Sequence, residues 1–110
     1  MKTRRAYSRA TRRALSTLGK LIRVRRIERG MTARELAERA GISRTTLYQI
    51  EKGTTSAQIG SVFEVATLLG IPLFHDDAEV RAMHEARLDE KLTLLPRTVR
   101  PSPEEVDDDF

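Results

Sequence analysis

The chain has no cysteine and no tryptophan among its 110 residues. Without cysteine there can be neither a disulfide nor a thiolate metal site, which suits a cytoplasmic location. Only two Tyr and three Phe are present, so a core has to rest on Leu, Ile, Val and Ala. No apolar run approaches the roughly 20 residues that span a bilayer. The basic N-terminus is followed by no apolar stretch of the kind a secretory signal needs, so no membrane role is expected. Equally missing are a glycine-rich phosphate loop and a nucleophile–base set. His75 and His84 are the only histidines, and the triplet His75-Asp76-Asp77 lacks further ligands. No enzyme activity, catalytic residue, metal or cofactor is therefore expected.

Charge is plentiful and unevenly placed. The net charge is +4, yet residues 1–53 carry 15 Lys/Arg against 4 Asp/Glu, and residues 54–110 carry 5 against 12. A basic first half suits a polyanion, and an acidic second half argues for a different partner or a solvated face.

The most informative stretch is TARELAERAGISRTTLYQIEKG, Thr32 to Gly53. Thr32 with Glu35 three positions on forms a capping box. Leu36, Ala37 and Ala40 then recur at helical spacing, and Gly41 supplies a stop. Ile42 plugs the turn and Ser43 caps a second helix, in which Leu47 and Ile50 face inward until Gly53. So short a turn forces the helices to cross steeply, which is the helix-turn-helix plan.

In order and register, the Leu18/Ile22/Arg23/Arg26 helix, Gly30, Leu36-Ala37, Ala40-Gly41-Ile42-Ser43, Leu47, Ile50-Glu51, Gly53 and Leu69-Gly70-Ile71-Pro72 resemble the lambda-repressor/Cro-like (Xre) family over about Leu18 to Gly70. The resemblance implies an all-α fold: a helix-turn-helix bundle of 4–5 helices, here with a C-terminal extra helix and a flexible acidic tail. It also implies that Arg26 pairs with Glu51, a bridge whose role is geometric because desolvation cancels much of the attraction. The family often places glutamine early in helix 2. This chain has Ala33 there, so base contacts from that helix are not expected.

Four regions follow. Residues 1–10 form a basic arm that either reaches phosphates and an adjacent minor groove or is a solvated end; Tyr7 could pin it. Residues 11–75 form the DNA-binding domain. Its first helix runs from about Thr11 to Arg29, with Leu15, Leu18 and Ile22 on one face. The helix carrying Val62, Phe63, Val65, Ala66, Leu68 and Leu69 is apolar on most sides, so it should be the most buried. Pro72 suits the first turn of a fifth helix of one turn at most. Residues 76–95, capped by Asp76 or Asp77, form a helix whose thin apolar stripe suits a second subunit or the helix's own domain. Residues 96–110 are an acidic tail, either disordered or binding a partner through Val106 and Phe110.

The first turn of the second short helix points polar groups away from Leu47 and Ile50. Arg44 can pair with guanine, Thr45 and Thr46 can meet a base or a thymine methyl, and Gln49 can pair with adenine. Thr32, Arg34, Ser43, Tyr48, Lys52, Thr54, Thr55 and Arg23 are the expected phosphate contacts, aided by free N–H groups at helix N-termini. One domain reads few base pairs, so a homodimer on a pseudo-palindromic operator in double-stranded DNA is expected. Small Xre proteins with a C-terminal extension are typical of antitoxins, and the ending LLPRTVRPSPEEVDDDF resembles the tails of HipB-type partners of HipA-like kinase toxins. The expected function is a DNA-binding repressor that is also such an antitoxin. A solo regulator of phage or restriction-control type, and a protein-binding adaptor, are the alternatives.

Overall fold

The computed structural model describes residues 6–101. Every regular element in them is a helix: α1 (Arg9–Glu28), α2 (Ala33–Ala40), α3 (Arg44–Lys52), α4 (Ile59–Leu68) and α5 (Ala78–Leu94). The chain divides into two compact units, one ending at Phe74 and the other beginning at His75. The first holds α1 to α4 and the second holds α5. No helix starts at Pro72, so the bundle has four helices and the fifth is the C-terminal extra one. Val106 and Phe110, the expected partner-binding pair, lie outside the described residues, as do residues 1–5.

Four of the five helices start where a side chain takes over an orphan N–H; α4, which follows Gln58, has no side-chain cap. Ser8 Oγ accepts from the Thr11 N–H at 3.2 Å, so α1 begins at Arg9 and takes two residues from the expected arm. The capping box of α2 is complete: Thr32 Oγ1 accepts from the Glu35 N–H at 3.0 Å, and Glu35 Oε1 accepts from the Thr32 N–H at 2.9 Å. Ser43 Oγ accepts from the Thr46 N–H at 3.0 Å and starts α3. Asp77 caps α5 through its Oδ1, which accepts from the Glu79 N–H at 2.8 Å.

The ends of α1 to α4 are closed alike. The residue after a left-handed glycine returns its N–H to a carbonyl five positions back: Met31 to Arg26 at 3.0 Å, Ile42 to Ala37 at 3.0 Å, Thr54 to Gln49 at 3.1 Å and Ile71 to Ala66 at 2.9 Å. This closure presses that residue onto its helix, so an apolar side chain is favoured there. Met31, Ile42 and Ile71 fit the rule; Thr54 does not.

The core joins all four helices through Ile22, Leu36, Ala37, Leu47, Ile50, Val65, Ala66, Leu69 and Ile71. Burying side chains of the Leu47 and Ile50 class is worth about 1.5–3 kcal/mol each, which fixes the inner face of α3. α4 is not the most buried helix. It buries Val65 and Ala66, whereas Ile59 is 71% exposed and Phe63 38%. Those two instead line a shallow apolar hollow of about 260 Å³ with Leu15, Leu18 and Thr54. Its apolar surface exceeds what one face needs, because no further helix of this unit covers it.

Candidate nucleic-acid interface

The position of α3 is set by how closely α1 can approach it. A Cβ on Gly19 would lie 2.5 Å from the Glu51 carbonyl oxygen and 2.7 Å from that of Ile50. Only a residue without a side chain lets α1 touch the α3 backbone there. The same holds at Gly53, where a Cβ would sit 2.7 Å from Ser16 Cα, and where φ is +77°. The periodic apolar pattern gives no sign of Gly19, since its role is to lack a side chain.

One ion pair spans the same joint. Arg26 Nε donates to Glu51 Oε2 at 2.7 Å, a second nitrogen donates to Oε1 at 3.2 Å, and a third interaction reaches the Met31 carbonyl at 3.1 Å. The two side chains are 13% and 10% exposed. The fork-on-carboxylate geometry restricts both helices at once, tying α1 to the last turn of α3 and to the loop before α2.

With its inner face anchored, α3 turns Arg44, Thr45, Tyr48, Gln49 and Lys52 to solvent. Arg44, Tyr48 and Lys52 form one row, four residues apart; Thr45 and Gln49 form the next. Tyr48 is 60% exposed and Lys52 Nζ lies 5.2 Å from its ring centre, a cation–π pair at the C-terminal end of the row. Thr46 is half-buried and accepts a 2.9 Å hydrogen bond from Ser43 Oγ, so both hydroxyls serve the cap. Of the four expected base-contacting residues, Arg44, Thr45 and Gln49 stand free on the outer face and Thr46 sits at its edge.

The expected phosphate contacts separate into three groups. Arg23, Lys52 and Tyr48 are exposed. Arg34 is exposed but reaches Glu38 at 3.5 Å, and the Thr32 hydroxyl is occupied within its capping box. The hydrogen bonds from Thr32 hold the Glu35 carboxyl below the usual carboxylate range. The Thr54 hydroxyl is buried without a hydrogen-bond partner, in the slot that follows the Gly53 turn. Its neighbour Thr55 is exposed on the loop.

Among the described residues no group of three or more His, Cys, Asp or Glu could hold a metal ion, and no helix is long and apolar enough to cross a membrane. His75 Nδ1 accepts a 3.0 Å hydrogen bond from the Asp77 N–H, which fits a role at the start of α5.

Comparison with known proteins agrees with this arrangement. A family model described as helix-turn-helix (HTH_3) matches residues 22–75. The cryptic phage CTXphi transcriptional repressor RstR of Vibrio cholerae is 35% identical over 78 residues, 71% of this chain and 67% of that protein. An HTH-type transcriptional regulator of Methanothermobacter thermautotrophicus is 44% identical over 50 residues, covering 46% of this chain and 72% of that protein. The residues that the family model matches contain the whole α2–turn–α3 unit, its caps and the Arg26–Glu51 joint, and with the two relatives this shows that the chain belongs to the Xre-type helix-turn-helix family of DNA-binding transcriptional regulators.

Proposed function

We propose that the protein is a sequence-specific repressor that reads the major groove with Arg44, Thr45, Thr46 and Gln49, and binds a pseudo-palindromic operator as a homodimer. The observation that carries this reading is the outward row of α3, held on a buried underside at a joint where α1 touches backbone. Arg44 is placed at the first position of the helix, where a guanidinium can address guanine O6 and N7 together. Arg23, Arg34, Tyr48, Lys52 and Thr55, with Thr32 and Ser43 at the helix N-termini, supply phosphate contacts. Self-association falls to α5, whose Val80, Met83, Leu88 and Leu92 are all exposed.

Two operon contexts each have an observation in favour. The Vibrio cholerae relative is a phage transcriptional repressor, which supports a solo regulator. The acidic ending supports an antitoxin with a HipA-like kinase partner, acting in the cytoplasm. A kinase-like reading frame beside the gene, and loss of a co-purifying kinase from a chain ending at Pro96, would select the second.

The groove reading is tested with Arg44→Ala. The substitution is expected to weaken binding to a duplex selected by the wild type by about 1–3 kcal/mol, and to relax preference at one base pair. An equal loss on every sequence would remove Arg44 from base recognition.

A further inference from the structure

The N-terminal half of α1 is charged in a way that its own helix opposes. Its first turn contains no acidic residue, while Arg9, Arg12 and Arg13 crowd the end where the helix dipole is already positive. Arg9 and Arg13 are also one turn apart, a like-charge pair that weakens a helix. The only acidic residue in the helix is Glu28, at the far end. Among the described residues no carboxylate pairs with Arg9, Arg13 or Lys20. Arg12 turns one nitrogen to the Tyr7 carbonyl at 2.6 Å.

These cations have a shaped setting. Arg9, Arg12, Arg13 and Lys20, with the hydroxyl residues Ser16 and Thr17, line a shallow open concavity of about 510 Å³. Ser16 lies against Gly53, the residue that closes α3, so the middle of the strip adjoins the C-terminal end of the helix that carries the groove-facing row. From Lys20 to Arg9 it runs about 16 Å at 1.5 Å per residue. With one phosphate per 3.4 Å of axis on a strand, that is the span of roughly four to five phosphates.

We propose that this strip is a second phosphate-binding surface, which takes the DNA strand bordering the groove that α3 enters and extends the contact beyond the base pairs that α3 reads. The proposal rests on the groove reading above and adds a site to it. The partner supplies the negative charge that α1 lacks. Ser16 and Thr17 donate hydroxyls to the same oxygens, and Lys20 and Arg23 join the strip to the contacts around α3. Since phosphate contacts carry no base information, the strip adds affinity and salt dependence without changing sequence preference.

The test uses the full chain, the triple variant Arg9→Gln/Arg13→Gln/Lys20→Gln, and Arg13→Gln alone as a milder change. The probe is a duplex enriched by the wild type from random sequence, made also with single ethylated phosphates. The triple variant is expected to flatten the slope of log affinity against log salt by about 2–3, at about 0.9 per lost contact. Its base preference and helical circular dichroism should match the wild type. Ethylation at one run of neighbouring phosphates should weaken the wild type and leave the triple variant unaffected. An unchanged slope, or a weakening spread evenly over all phosphates as a general charge effect would give, overturns the strip while leaving the groove reading intact. Failure of the wild type to enrich any duplex overturns both.

Discussion

α1 and α5 are the two longest helices, with 20 and 17 residues, and they are stabilised differently. α1 inserts Ile22 into the core, approaches α3 backbone-to-backbone at Gly19 and is tied to it by Arg26–Glu51. α5 has a side-chain cap at Asp77 yet buries no residue at all. Such a helix lacks the packing from which most helical stability in proteins comes. Capping therefore sets where both helices begin, but only burial makes α1 part of a rigid body. The contrast separates a unit organised to present one surface from a segment whose apolar residues still face solvent.

The sharpest way to break the comparison is to loosen the α1–α3 joint. Glu51→Ala leaves the Arg26 guanidinium nearly buried without its carboxylate, and is expected to cost about 3 kcal/mol of stability in chemical denaturation. Arg26→Met/Glu51→Leu removes both charges and should recover most of that loss, even though the Met31 carbonyl loses a donor. If the double variant is as unstable as the single one, the bridge contributes net energy as well as geometry. A small effect of Glu51→Ala would show that Gly19 and the apolar core suffice to seat α3.

Much of this unit is legible in the amino-acid sequence itself. Thr32, Ser43, Gly41 and Gly53 mark helix ends through local chemistry, and local chemistry is what a sequence displays. The Arg26–Glu51 bridge was legible only through the family resemblance, because its partners are 25 positions apart. Three features were hidden. Ser8 caps α1 from within a basic stretch that otherwise reads as an arm. α4 looks apolar on most sides, yet composition cannot say that Ile59 and Phe63 have no helix of their own unit to cover them. Thr54 reads as a phosphate contact because it is polar and next to α3, and nothing in the sequence signals that its hydroxyl is buried after the Gly53 closure. In each case neighbours in space decided the outcome.

Thr54 gives an intermediate and opposite effect. Its hydroxyl is desolvated without a partner, so Thr54→Val exchanges it for a methyl in an apolar hollow of nearly the same shape. The variant should be more stable by about 1 kcal/mol, seen as a higher midpoint in denaturant with an unchanged slope. Duplex binding should not change. A loss of affinity with unchanged stability would return Thr54 to the DNA interface and put the turn, not the hollow, in charge of that residue.

The smallest expected change in stability tests the other half of the comparison. Leu88 and Leu92 are one turn apart on α5 and both exposed, so Leu88→Glu/Leu92→Glu removes no buried contact. The melting of the α1–α4 unit should stay within about 0.5 kcal/mol of the wild type. If α5 is the self-association element, sedimentation should show the monomer at concentrations where the wild type is dimeric. Affinity for a two-half-site duplex should fall while that for a single half-site stays constant, because dimerisation acts by bringing the second α3 to its half-site. If melting falls instead and the oligomeric state is unchanged, the stripe packs against its own domain, and the leucines of α5 and the core of α1–α4 belong to one folding unit.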